Sequence, residues 1–261
     1  DLYLSSRQMR TVLHGDRVLA SVIGIDSRGR REGAVREILE RAHQRVVGHF
    51  VEESGIALVV PDDRRLNQDV LIPLQDTAGA RPGQVVVAEI VQQPREHKPP
   101  VGKVIEILGK SGAPGMATEI AIRNLNLPHE WPEGVEEEAE GFGDTVPEEM
   151  KQGRRDLREL PLVTIDGADA RDFDDAVYAQ RRKNGWRLVV AIADVSSYVK
   201  PGSALDREAE TRATSVYFPG RVIPMLPEAL SNGLCSLKPD EDRLCLVCDM
   251  SINQSGKVVR A

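Results

Sequence analysis

The stretch Gly83-Gln-Val-Val-Val-Ala-Glu-Ile-Val91 resembles an earlier one, Gly15-Asp-Arg-Val-Leu-Ala-Ser-Val-Ile23. Further on, Gly102-Lys-Val-Ile-Glu-Ile-Leu108 answers Gly33-Ala-Val-Arg-Glu-Ile-Leu39, and Asp69-Val-Leu-Ile72 answers Asp1-Leu-Tyr-Leu4. The offset is 68 residues from Gly15 to Gly83 and 69 from Gly33 to Gly102, a regularity that marks two copies of one module. The second copy is complete over residues 43–109. Arg45-Val-Val-Gly-His-Phe50, Ile56-Ala-Leu-Val-Val60, Asp69-Val-Leu-Ile72, residues 84–91 and residues 103–108 read as short strands with period-two alternation. Glu53-Ser-Gly55, Pro61-Asp-Asp63 and Pro99-Pro100 supply the turns between them. Five short strands of this kind predict a small closed antiparallel barrel of the OB-fold type. The first copy, residues 1–42, lacks a counterpart of residues 45–68, so the chain is expected to open inside such a barrel.

Beyond the barrels, residues 110–160 read as a connector. Ser111-Gly-Ala-Pro-Gly115 is a flexible entry, a helix is expected over residues 116–125 and another over residues 135–142, and Pro147 suits the first position of a short helical turn. Between Glu133 and Glu149 lie eight acids (Glu133, Glu136, Glu137, Glu138, Glu140, Asp144, Glu148, Glu149) and no base, which predicts a solvated helix face that repels nucleic acid. From residue 161 to 261 the pattern turns to mixed α/β. Leu162-Val-Thr-Ile165 and residues 186–195 are strand-like, and Ala176-Val-Tyr-Ala-Gln180 is expected to pair with the latter across Lys183-Asn-Gly185. Ser203, with Asp206 three positions on, reads as a capping box for a helix to about residue 213. A strand over residues 244–252 and a turn at Asn253-Gln-Ser-Gly256 follow, and the domain is expected to continue past Ala261.

Composition narrows the class. Of 261 residues 41% are hydrophobic and 29% charged, as in a folded soluble protein, and no apolar run reaches the ~20 residues of a membrane span. No signal peptide opens the chain, and three cysteines give no disulfide framework, which points to a reducing, cytoplasmic setting. Cys245 and Cys248 form a CxxC without the second pair that would close a zinc site, so they read as two thiols near a strand. The net charge of -7, from 34 bases and 41 acids, is not that of a strongly basic nucleic-acid binder. The acidic run accounts for that balance, however, and clusters such as Arg28-Gly-Arg-Arg31 and Arg181-Arg-Lys183 leave RNA open as a partner.

The chemistry concentrates in Thr164-Ile-Asp-Gly-Ala-Asp-Ala-Arg-Asp-Phe-Asp-Asp-Ala176, which carries Asp166, Asp169, Asp172, Asp174 and Asp175. Crowded like charges raise one another's pKa unless cations or water neutralise them. In extended backbone Asp172 and Asp174 share a face, and Asp166, before the turn-permitting Gly167, can curl back toward them. The expected result is an all-oxygen site suited to Mg²⁺ or Mn²⁺. A calcium EF-hand is excluded, because the sixth and twelfth positions counted from Asp172 hold Val177 and Lys183. A DDxxD diphosphate site is excluded by Tyr178. Hard cations on carboxylates are typical of phosphoryl-transfer and nuclease sites, and OB-type barrels bind single-stranded nucleic acid.

This segment resembles the signature of the ribonuclease II/ribonuclease R family of exoribonucleases. Val190-Ala-Ile-Ala-Asp-Val195, Thr214-Ser-Val-Tyr-Phe-Pro-Gly220, Ile223-Pro-Met-Leu-Pro227 and Leu230-Ser-Asn-Gly-Leu-Cys-Ser-Leu237 strengthen the likeness. Asp242-Arg-Leu-Cys245 favours the ribonuclease R branch. The resemblance implies the end of one cold-shock barrel (residues 1–42), a whole second one (43–109), a connector (110–160) and the opening of an RNB catalytic domain (161–261). It implies a processive, Mg²⁺-dependent hydrolase, with Mn²⁺ as the alternative ion. Such an enzyme acts as a cytoplasmic monomer, shortening RNA from a single-stranded 3′ end, structured RNA included, and releasing nucleoside 5′-monophosphates. Asp166, Asp172, Asp174 and Asp175 would form the metal site, with Asp174 most critical for the chemical step and Asp169 secondary. Tyr217 would stack on the 3′-terminal base; on the residues alone it reads as a core aromatic beside Phe218. His49 and Phe50 fall where cold-shock domains carry RNA-facing side chains. The family's catalytic domain continues with a further glutamate, an arginine and a basic barrel, so this span taken alone can be inactive.

Overall fold

A computed structural model describes residues 1–168 and 170–261, and it divides into two compact units, Asp1–Leu127 and Pro128–Ala261. No helix among the described residues is long and apolar enough to cross a membrane.

The first unit opens with β1 (Tyr3–Leu4), α1 (Ser6–Met9), β2 (Arg17–Ile25) and β3 (Arg31–Glu40), in a sheet of order β1-β3-β2. Then come β4 (Arg45–Glu53), β5 (Ile56–Pro61), β6 (Val70–Ile72), β7 (Gln84–Gln92) and β8 (Val101–Lys110), which close into a barrel of order β4-β5-β6-β8-β7. The sequence repeat is a structural one. Strand β1 pairs with β3 in parallel at Leu4 and Gly33, as β6 pairs with β8 in parallel at Leu71 and Val101. The antiparallel pair β2/β3 likewise repeats β7/β8. Gly102 is required by this crossing, since a Cβ there would lie 2.7 Å from the Glu89 carbonyl oxygen and 2.8 Å from Val70 Cγ1. Its counterpart Gly33 is pressed in the same way against Leu2 and Leu4.

Alternation decides which side chains enter the barrel. Val46, Phe50, Val59, Val70, Ile72, Val86, Ala88 and Val104 form its core. Strand β7 is apolar on both faces because α2 (Met116–Asn124) covers the outside, where Met116 packs on Val47, Val85 and Val87. Phe50 is fully buried, which corrects the expectation that it faces RNA: the period of two places it with Val46 inside the barrel. His49, on the opposite face, is partly exposed and lies 3.8 Å from Asp62.

The second unit contains α3 (Val135–Glu140), α4 (Glu148–Lys151), β9 (Asp175–Arg182), β10 (Gly185–Ala193), α5 (Ala204–Arg212), β11 (Val216–Phe218), β12 (Arg221–Ile223), β13 (Cys245–Asn253) and β14 (Val258–Arg260). Its main sheet has the order β14-β13-β10-β9, and β11 and β12 form a separate hairpin. Leu205, Leu230, Leu234, Leu244, Ala193 and Tyr198 build the core, and Phe142 meets Tyr198 edge-on at 5.3 Å. The acidic helix α3 takes part in that core through Val135 and Ala139, while Glu136, Glu137 and Glu140 stay exposed. Glu138 is neither idle nor merely solvated, for its carboxylate accepts the Leu205 N–H at 3.1 Å in the first turn of α5. Ser203 caps the same helix by accepting the Asp206 N–H at 3.1 Å. The Asp206 carboxylate reaches back to the N–H of Gly202 rather than of Ser203. Residues 162–165, expected to be a strand, contribute only a single bridge between Val163 and Val177.

Candidate active site

The aspartate-rich segment is a loop with both ends held. At its start, Val163 and Val177 exchange backbone hydrogen bonds of 2.9 and 2.8 Å. At its end, Asp175 enters β9 opposite Ile192, and the Asp174 carbonyl accepts the Ala193 N–H at 2.9 Å. Within it the Ala170 N–H reaches the Gly167 carbonyl at 3.1 Å. Asp172 and Asp174 precede β9, and contacts with distant residues hold the backbone beside them. The Ser236 hydroxyl donates to the Arg171 carbonyl at 2.7 Å and accepts the Phe173 N–H at 3.1 Å, and the Leu237 N–H donates to the Phe173 carbonyl at 2.9 Å.

Electrostatics single out Asp174. Partial burial, and then the neighbouring charges of Asp172, Asp175 and Asp166, push its carboxyl above the usual carboxylate range. The charges of Asp166, Asp172 and Asp175 thus act on Asp174. Among the described residues, no three His, Cys, Asp or Glu side chains converge closely enough to form a ready-made cage. The donor set is nevertheless all oxygen and all negative, the chemistry that suits a hard divalent cation such as Mg²⁺ or Mn²⁺. Asp169 lies outside the described residues.

Tyr217 sits on β11 opposite Val222 and is 64% exposed, so it is no core aromatic. Its hydroxyl donates to Asp172 Oδ2 at 2.7 Å. That bond to an anion, with some burial, raises the phenol's pKa and keeps it a donor at neutral pH. The exposed side chain is thus tied to the aspartate loop through Asp172. Sequence reasoning missed Ser236. Its signal was only that a serine occupies a position between apolar neighbours that pack in the core.

Comparison with known proteins identifies the modules of the chain. A model of the RNB domain matches residues 154–261, one of the cold shock domain residues 58–132, and one of the Ribonuclease B OB domain residues 1–38. The Ribonuclease R of Acidithiobacillus ferrooxidans is 58% identical over 259 residues, covering 98% of this chain and 59% of that protein. The Ribonuclease R of Escherichia coli K12 is 55% identical over 259 residues, covering 99% of this chain and 32% of that protein. Among solved structures, Mycoplasma genitalium RNase R in complex with ribose methylated single-stranded RNA superposes with a TM-score of 0.88 at 28% identity. It covers 99% of this chain and 41% of that one. The chain therefore spans between about a third and three-fifths of the length of the curated relatives it matches.

Proposed function

Because this chain belongs with the ribonuclease R proteins, whose OB, cold-shock and RNB modules it carries in order, we propose that it serves a Mg²⁺-dependent exoribonuclease. That enzyme shortens RNA processively from the 3′ end to nucleoside 5′-monophosphates. The observation that supports the reading is the hydrogen bond from the exposed Tyr217 to Asp172, in a loop where the charges of Asp166, Asp172 and Asp175 act on Asp174.

The chain's own residues divide the work. Asp166, Asp172, Asp174 and Asp175 would hold the ion, and Mn²⁺ suits the same oxygens. When bound, a divalent ion supplies the positive charge that orients water and stabilises the attacking and leaving oxygens of an in-line displacement. Crowding of four carboxylates is costly without it and favourable with it, so the loop is poised to accept positive charge. Tyr217 offers its face to the terminal base, a contact worth about 1–3 kcal/mol and indifferent to base identity. Its hydroxyl at the same time fixes Asp172, which couples the place where the RNA end rests to one carboxylate of the cluster. Sequence-independent trimming is what such a site would perform.

The test uses the whole protein and, beside it, this span. Both receive 5′-labelled single-stranded RNA with Mg²⁺ or with EDTA, and Asp174→Asn is the control. The expected result is a ladder that shortens from the 3′ end only with the metal and is absent in the variant. Binding without shortening by the whole protein would overturn the reading in favour of a non-enzymatic RNA-binding module, and shortening that survives Asp174→Asn would take the aspartate loop out of the chemistry.

A further inference from the structure

We propose that Ser236 is the positioning residue of the carboxylate cluster: one buried hydroxyl clamps both peptide groups that flank Asp172. The assignment rests on the nuclease reading above and deepens it. Ser236 is fully buried, and its two bonds go to the Arg171 carbonyl and the Phe173 N–H. These belong to the peptide groups before and after the Asp172 Cα, so both torsions of that residue are confined by one side chain. The adjoining Leu237 N–H takes the next carbonyl, that of Phe173, and fixes the peptide leading into Asp174. On its other side Ser236 is itself anchored. Its N–H donates to the Gly233 carbonyl at 3.1 Å, and its own carbonyl accepts Arg243 Nε at 2.9 Å and the Lys238 N–H at 2.8 Å.

Only a hydroxyl residue meets the requirement. The clamp needs a donor and an acceptor on one small atom, and only a hydroxyl supplies both in so little volume. Alanine would leave the part-buried Phe173 N–H and Arg171 carbonyl without that partner. The loop would then relax toward water and carry Asp172 and Asp174 with it. Ser236 touches neither substrate nor ion and acts only through the backbone of the aspartates.

The experiment uses the whole protein with Ser236→Ala, Ser236→Thr as the hydroxyl-retaining rescue, and Leu205→Val as a core-destabilised control that removes none of the loop's hydrogen bonds. Three readings are taken: amide hydrogen exchange across residues 171–176, Mn²⁺ affinity by calorimetric titration, and kcat and KM on single-stranded RNA with Mg²⁺. In Ser236→Ala, exchange at the Phe173 amide accelerates, Mn²⁺ binding weakens, and kcat falls about ten- to a hundredfold while KM holds, since displacing the loop that carries Asp172 costs a barrier of that order. Ser236→Thr recovers most of each loss, and Leu205→Val produces none of them. Should Ser236→Ala not fold, Ser236→Cys, which keeps a side chain in place with weaker hydrogen bonds, gives the same readings in reduced degree. Ser236→Ala with unchanged exchange, Mn²⁺ affinity and kcat, or equal losses in Leu205→Val, overturns the assignment alone. Unmodified protein that neither binds Mn²⁺ nor shortens RNA overturns the nuclease reading and this assignment with it.

Discussion

Replacing Asp194 with asparagine tests how the strand that carries the aspartate loop is held. Asp194 follows directly on β10, whose last residue, Ala193, donates to the Asp174 carbonyl. It is only 4% exposed, and its carboxylate accepts Ser196 Oγ, Ser197 Oγ and Arg154 Nη2, each at 2.7 Å. Burial alone would push this carboxyl up, but those bonds and the Arg154 charge outweigh it and hold it down at about 2, against an ordinary value of 3.8. The difference, at 1.36 kcal/mol for each pKa unit, makes the ionised form worth about 2 kcal/mol to the folded state. Because the folded pKa lies below the unfolded one, that stability is fully present above about pH 5 and lost as pH falls through about 2. Both tryptophans, Trp131 and Trp186, lie in the Pro128–Ala261 unit, so their fluorescence during urea unfolding reports on it alone. At pH 7 the unfolding midpoint of Asp194→Asn should fall by about 1 M urea, taking a slope near 2 kcal/mol/M. The gap between the two proteins should narrow steadily from pH 5 to pH 2. A gap under about 0.5 kcal/mol at pH 7, the range of an ordinary surface change, or one that ignores pH, would refute this account.

Other outcomes follow from the same geometry. Phe50→Ala empties the barrel centre and should cost about 3–5 kcal/mol in thermal or chemical unfolding of the first unit; an RNA-facing Phe50 would instead weaken binding and leave stability alone. Gly102→Ala places a methyl 2.7 Å from the Glu89 carbonyl and should destabilise the barrel, lowering its melting temperature and loosening amide protection along β7 and β8. Tyr217→Ala should weaken binding of the RNA 3′ end by about 1–3 kcal/mol, while Tyr217→Phe keeps the ring and should retain that affinity yet lower turnover by freeing Asp172. Equal effects of the two would separate Tyr217's ring from any role. Finally, the two Tyr217 variants should unfold as the unmodified protein does, because the side chain is exposed.

The sequence by itself determined the repeat, the strands of the barrel and the acidity of the cluster. Each is a local property: a period of two, a turn residue, five carboxylates within a few positions. It determined equally that the Ser203 side chain would begin α5, since a cap is written within four residues. Tertiary structure decided what depends on partners far along the chain. Phe50 turned inward because barrel closure gave the Val46 face an interior, and β7 could be apolar on both sides because α2 lay across it. Glu138, one acid among eight, found a helix terminus 67 residues away. Likewise the backbone beside Asp172 is held by Ser236 and Leu237, more than sixty residues downstream. A pattern in sequence records which residues can bury or bind, but the hydrogen-bond partner that fixes a loop is chosen only when the fold brings distant backbone within 3 Å.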